Sequence, residues 1–290
     1  MRPHRSQSRR RTLNPLHSQL PNVAGVIVLD DGRTLEAYDG GGNGFPIVWH
    51  HGTPQTGALI APLLEAAARR GIRLVSYARP SYGGSTPNPG RDVASAASDM
   101  AQVADAFGLE RFAVMGASGG GPHALACAAL LGDRVSRAAT LAGIAPYTDE
   151  FDWFKGMVAP RALRAARDGR ETRTALPPEF DEDSFTARDW AVLEDRWKAL
   201  GEDAGKAGAA GPEGAIDDDL AFATPWGFEL ERVAAPVLVA HGGEDRMIPL
   251  SHAHHMLDRL PDAELWLRPR DGHVSILDAV PIVMEWLRDA

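Results

Sequence analysis

One cysteine, Cys127, is all that the 290-residue chain carries. No internal disulfide can form, which excludes a small disulfide-stapled fold and suits a reducing compartment, so the expected location is the cytoplasm. No apolar run approaches the roughly 18 residues of a membrane span, so no membrane partner is expected. Positive charge is in short supply as well: 30 Lys+Arg stand against 39 Asp+Glu, a formal net charge of −9. A nucleic-acid binder would normally present a basic face, and this balance speaks against one. Carboxylates, in turn, are missing before Asp30, where five arginines fall within the first eleven residues. An arginine-led export signal needs an apolar stretch after them, and "TLNPLHSQL" is too polar and too short to supply it. Residues 1–22 are therefore expected to be a disordered basic tail.

What is present is an alternation of strand-like and helix-like segments, the mark of a parallel α/β sheet. "VAGVIVLDDGRTLEAYDG" reads as a β-hairpin around an Asp-Asp-Gly turn. "FPIVWHHG" and "IRLVSYARP" read as buried strands separated by the helix-like "TGALIAPLLEAAARRG". A helix is expected over about 92–107, with Ala96, Met100, Val103, Ala104 and Phe107 on one face. After residue 146 strands are lacking. Residues 147–232 hold amphipathic helix candidates and carry 20 Asp+Glu against 11 Lys+Arg. Alternation resumes with "APVLVAHGGEDRMIP", a helix near 250–260, "AELWLRPRDGH" and a final helix near 274–288. One core, residues 23–146 and 233–290, interrupted by a helical insertion at 147–232, fits better than two sequential domains.

Gly116-Ala117-Ser118-Gly119-Gly120 matches G-x-S-x-G at a strand-to-helix joint. Either Ser118 is a nucleophile, or it is incidental to a tight turn. The first reading needs the glycines, because a sharp turn that exposes a serine hydroxyl crowds the backbone around it. The helix that follows would offer N-terminal amides to a developing negative charge. A serine alone is a poor nucleophile, so a carboxylate and a histidine must follow in the order Ser, Asp/Glu, His. Asp245 stands just after one apolar strand, and His273 just after the next. Glu244 is the local competitor for the acid, and Asp271 a weaker one.

The loop His51-Gly52-Thr53-Pro54 follows "PIVW". The N–H of Thr53 with that of Gly119 could bind the oxygen of a tetrahedral intermediate; an ordinary turn is the alternative. His50 and His51 are expected to orient this loop rather than to act as bases. His252, His254 and His255 are expected to pack or face solvent. Neither histidine group has companion ligands at usable metal spacing, so no metal and no cofactor is expected. Cys127 reads as a small buried helix residue. In the insertion, Trp153, Phe154, Trp190, Trp197, Trp226 and Phe228 either line an apolar substrate pocket or pack helices onto the core. With His51, the substrate-binding candidates are Trp153 and the "TPWGF" pair Trp226 and Phe228.

"HGTP", "ARPSYGGS" at 78–85, "GASGG", "GGEDRMIP" and "DGH" together resemble the α/β-hydrolase superfamily over residues 23–290. The resemblance implies an eight-stranded, mostly parallel sheet with its second strand antiparallel. It also implies a helical lid at 147–232, with Ser118, Asp245 and His273 as nucleophile, acid and base. Ser81 departs from the pattern, standing where relatives usually carry glycine. A serine nucleophile disfavours the aspartate-dependent haloalkane dehalogenases and epoxide hydrolases and leaves acyl transfer. The expected activity is that of a serine hydrolase, a carboxylesterase acting through an acyl-enzyme on a small-molecule ester or amide. A proline iminopeptidase-like activity is the nearest rival. Such relatives typically show "HGGPG" and "GGSWG" where this chain has "HGTP" and "GASGG", yet an acidic lid could hold a substrate amine. Lactonase, C–C hydrolase, perhydrolase and acyltransferase chemistry, or a non-catalytic binding role on the same fold, complete the alternatives. Oligomeric state is not legible.

Overall fold

The computed structural model of the chain describes residues 14–15, 23–177 and 180–289. The expected basic tail lies outside the described residues except for Asn14–Pro15, which pairs antiparallel with Val26 and Gly25. Eight further strands follow: β1 Val23–Val28, β2 Thr34–Asp39, β3 Phe45–His50, β4 Ile72–Tyr77, β5 Phe112–Ala117, β6 Val135–Leu141, β7 Val237–Gly242 and β8 Ala263–Arg268. Their order in the sheet is β1-β2-β4-β3-β5-β6-β7-β8, with Asn14–Pro15 outside β1. β2 runs antiparallel to both β1 and β4, and every pairing from β4 to β8 is parallel.

Strand composition explains strand position. β5 "FAVMGA" and β7 "VLVAHG" are buried throughout, as central strands of a sheet covered on both faces must be. The period of two divides their neighbours between the faces. Ile47 and Trp49 of β3 join a core with Leu63 of α1 (Ala61–Ala68) and Met284 of α10 (Val280–Arg288). Val48, between them, joins the opposite core with Met100 of α2 (Ser95–Phe107), Leu125 of α3 (Gly120–Leu130) and Met256 of α9 (Leu250–Arg259).

Helix starts differ from the sequence-based bounds for local reasons. α1 begins at Ala61 because Ile60 is still extended and Pro62 occupies the first turn. The expected final helix divides into a 3₁₀ turn at Ser275–Ala279 and α10, with Pro281 in the first turn of α10. Gly108, left-handed at φ +68°, ends α2.

Between β6 and β7 the described residues contain no strand, only short 3₁₀ turns and α4 Arg161–Arg167, α5 Arg170–Thr174, α6 Ala187–Glu194, α7 Lys198–Ala210 and α8 Glu213–Ala223. α8 is the hub of this insertion, packing against α4 and α5. Among the described residues no helix is long and apolar enough to cross a membrane.

The sheet order reverses direction around β3. The loops after β3 and β5 therefore open side by side at the carboxyl ends of neighbouring strands, where His50 lies in register with Gly116. A switch point of this kind is where open α/β sheets hold their ligands.

Candidate active site

Ser118 stands between β5 and α3 with φ +51°, a left-handed conformation that side-chain-bearing residues rarely adopt. The turn is as crowded as its sequence suggests. A Cβ on Gly116 would lie 2.2 Å from the Gly120 carbonyl oxygen, and one on Gly120 would lie 2.0 Å from the His50 oxygen. The Ser118 N–H donates to Leu141 O at 2.8 Å, fastening the turn to the end of β6. Its hydroxyl lies 3.0 Å from Nε2 of His273, whose Nδ1 is 2.8 Å from Asp245 Oδ2. The second oxygen of Asp245 accepts from the N–H groups of Met247 and Ile248 at 2.9 and 2.8 Å.

With Asp245 accepting at Nδ1, the imidazole is the tautomer that accepts at Nε2. Burial disfavours a charge on His273. The carboxylate of Asp245, by charge and hydrogen bond, outweighs burial and lifts the pKa above its usual 6.5. The two competing carboxylates are elsewhere: Glu244 is exposed, and Asp271 is paired with Arg188 at 2.7 Å and with Arg268. His241 lies 3.7 Å from Asp245, but burial keeps it neutral and its Nε2 donates to Ile248 O.

The loop after β3 meets this turn from the other side. A Cβ on Gly119 would come 2.4 Å from Thr53 Oγ1 and 2.9 Å from the ring of Phe222 on α8. The main-chain N–H groups of Thr53 and Gly119 donate to no group among the described residues. His51 is buried, and its two ring nitrogens tie its own loop to the segment after β4. Nδ1 donates to Gly52 O at 2.8 Å, and Nε2 accepts from the Arg79 N–H at 3.1 Å. Burial, the first cause, and the Arg79 charge both hold it neutral. His50 is neutral as well, pushed by burial to a pKa of about 3.

Four buried aspartates of the insertion reach loops of the core, and none was singled out in the sequence. Asp189 of α6 accepts from the N–H groups of Val274 and Ser275 at 2.9 and 2.7 Å and from the Ser275 hydroxyl, immediately after His273. Its other oxygen takes the N–H and hydroxyl of Thr186, the cap of its own helix. Asp218 of α8 accepts from Arg79, Arg91, Tyr82 and the Thr53 hydroxyl. Asp203 of α7 binds Thr56 through both oxygens, and Asp217 accepts from the hydroxyl of Ser81. Ser81 adopts φ +73°, so the position where relatives usually carry glycine keeps a glycine-like backbone.

The remaining candidates take up packing positions. The Trp153 indole donates to Ala145 O at 3.0 Å, while His252 receives the Ala145 N–H and donates to Trp153 O. His252 is thus fully buried, with a pKa lowered to about 4 by burial, and His254 is exposed. Trp226 and Phe228 lie 5.7 Å apart, buried in the core cluster shared with α2 and α3, and the Trp226 carbonyl accepts from Ala94. Phe222 is the insertion aromatic that stands against the Ser118 turn. A groove of about 700 Å³ lies between α1, α7 and α10, lined by Glu65, Arg69, Trp197 and Asp278 among others, and no triad residue lines it. Among the described residues no group of three His, Cys, Asp or Glu is placed to hold a metal ion.

A family model described as alpha/beta hydrolase fold matches residues 46–280. The non-heme chloroperoxidase of Streptomyces lividans is 27% identical over 245 residues, covering 79% of this chain and 85% of that protein. An esterase structure from Thermogutta terrifontis superposes with a TM-score of 0.67 at 21% identity, covering 92% of this chain and 98% of that one. The enol-lactonase of Burkholderia xenovorans LB400 gives 0.68 at 20% identity, covering 91% and 98%.

Proposed function

Because this chain belongs to the alpha/beta hydrolase family, we propose that it is a serine hydrolase cleaving a carboxylic ester through an acyl-enzyme. The observation that carries this reading is the unbroken chain Ser118 Oγ, His273 and Asp245, at 3.0 and 2.8 Å. In it Ser118 attacks the carbonyl carbon as its proton passes to His273 Nε2, and Asp245 holds the resulting imidazolium. The tetrahedral oxygen lies against the N–H groups of Thr53 and Gly119, each such donor being worth roughly 10²–10³ in rate. Collapse breaks the ester C–O bond, and His273 returns the proton to the leaving alcohol. Water, deprotonated by the same nitrogen, then releases the acid and restores Ser118.

The helical insertion acts as the lid of this site, with Phe222 beside the oxyanion donors. An amine-binding, iminopeptidase-like activity is less well supported. Asp189, Asp203, Asp217 and Asp218, the buried acids of the insertion that reach the core loops, are all engaged by donors of the core. Likeness to a non-heme chloroperoxidase favours one second reading, in which hydrogen peroxide instead of water takes the acyl group and forms a peracid.

Labelling with a fluorophosphonate tests the first reading. One equivalent should add at Ser118, none in Ser118→Ala, and p-nitrophenyl ester turnover should fall by on the order of 10⁴-fold or more in that variant. Folded wild-type protein that takes no label contradicts it. Preference for proline p-nitroanilide over esters selects the peptidase instead. Peroxide-dependent halogenation with acetate selects the perhydrolase.

A further inference from the structure

We propose that Asp218 is a positioning residue for the oxyanion hole, acting from the insertion through Arg79 on the peptide unit that carries the Thr53 N–H. The inference rests on the serine-hydrolase reading above and says how that site is held in shape.

Gly52 C=O and Thr53 N–H belong to one planar unit, and in a trans peptide they point in opposite directions. The only cis bond among the described residues is the next one, Thr53–Pro54. Whatever holds the Gly52 oxygen therefore aims the Thr53 N–H. Two donors hold it: His51 Nδ1 at 2.8 Å and Arg79 Nη2 at 3.0 Å. Arg79 also donates through Nη1 to the carbonyl of His51, so its fork spans two successive peptide units of the loop.

Arg79 could not hold that orientation unaided. It is 1% exposed, and a buried guanidinium with only carbonyl partners would leave its charge uncompensated. Asp218, fully buried, supplies the compensation at 3.2 Å to Nε and 2.6 Å to Nη2. A bidentate pair of this kind fixes the plane of the guanidinium and its position together. Asp218 also accepts the Thr53 hydroxyl, so one carboxylate grips both ends of the oxyanion residue's environment. Arg91 and the Tyr82 hydroxyl complete its donors and hold the carboxylate itself in place. One turn further along α8, Phe222 stands beside Gly119, the second oxyanion donor. A single helix of the insertion thus backs both donors.

Asp219, the next residue, provides an internal control. It pairs with Arg173 of α5 at 2.6 Å, wholly within the insertion, and forms no bond to a core loop among the described residues. Replacing it disturbs the same helix without touching the oxyanion loop.

The experiment compares an ester with its thionoester, because sulfur replaces only the oxygen that the oxyanion hole receives. Asp218→Asn should lower kcat for the ester on the order of 10²-fold, with KM changed little, and collapse the ester-over-thionoester preference. Asp219→Asn should keep both. Should Asp218→Asn fail to fold, Arg79→Lys keeps a cation beside Asp218 while losing the fork onto the two carbonyls, and it should lose the preference likewise. A preference retained in the Asp218 or Arg79 variant, or lost equally in Asp219→Asn, overturns the proposal. A wild type that hydrolyses esters and labels at Ser118 but prefers neither substrate overturns this proposal alone. A wild type that does neither overturns the serine-hydrolase reading with it.

Discussion

The loop after β3 and the loop that carries His273 are both fastened by a buried aspartate of the insertion, but by different chemistry. At the oxyanion loop, Asp218 meets two guanidinium groups, a phenol and a hydroxyl, so charge is balanced against charge. At the base-bearing loop, Asp189 meets only neutral donors, two hydroxyls and three main-chain N–H groups. The carboxylates respond alike, with pKa values below the ordinary range despite burial, which alone would raise them. For Asp218 the Arg79 and Arg91 charges overcome burial; for Asp189 the hydrogen bonds from Ser275 and Thr186 do so. The lesson is where the penalty falls on removal. An unpaired buried cation is far more expensive than an unpaired buried N–H.

The largest effect should follow from Asp218→Ala, which leaves two buried arginines without their counter-ion. A loss of about 3–5 kcal/mol is expected in urea unfolding, and a variant as stable as wild type would contradict the charge-balance account. Asp189→Ala should cost less, about 1–3 kcal/mol in the same measurement, because only neutral donors are stranded. If the two losses come out in reverse order, the comparison fails.

The two aspartates should separate again in the pH profile. The base must be neutral to accept the Ser118 proton, so kcat/KM should rise with pH through a value above 6.5. Loss of the Asp245 charge should move this limb to lower pH. Asp189→Asn should do the same to a smaller degree, since the Asp189 charge also raises the His273 pKa. Asp218→Asn should leave the limb where it is. The stability terms of the two carboxylates run in the same direction, falling as the pH falls. Depressed carboxylate pKa values stabilise the fold above the unfolded-state value, and the benefit is lost as pH falls through the folded-state value. Acid unfolding below the ordinary carboxylate range should therefore be delayed by Asp218, and Asp218→Asn should unfold at higher pH.

The smallest effect belongs to Asp203→Ala, which removes the acceptor of Thr56 N–H and hydroxyl. A loss of about 1 kcal/mol is expected, with kcat within a few-fold of wild type.

The contrast also explains what could be read from the sequence. Ser118, Asp245 and His273 were legible because each sits at a strand's carboxyl end in a short local signal, and the parallel sheet brings strand ends together. The hairpin and the strand-free insertion followed from the strand pattern, its turn and its absence, whereas the antiparallel second strand was what the family resemblance implied. Asp189 and Asp218 gave no such signal. They are two acids among 20 in the insertion, and their partners lie 85 and 139 residues away along the chain. Arg79 stood inside the quoted "ARPSYGGS", but only the fold brings it under Gly52. The aromatic residues stayed ambiguous for a related reason: Trp153, Trp226 and Phe228 carry bulk that serves core packing as readily as a pocket, while Phe222 stands beside Gly119.

Trapping the acyl-enzyme tests the central claim most directly. On rapid mixing with p-nitrophenyl acetate followed by an acid quench, intact-mass and peptide analysis should find one acetyl group, on Ser118, with a burst of p-nitrophenol matching the enzyme concentration. An acetyl group on another residue, or ester turnover that persists in Ser118→Ala, would contradict it.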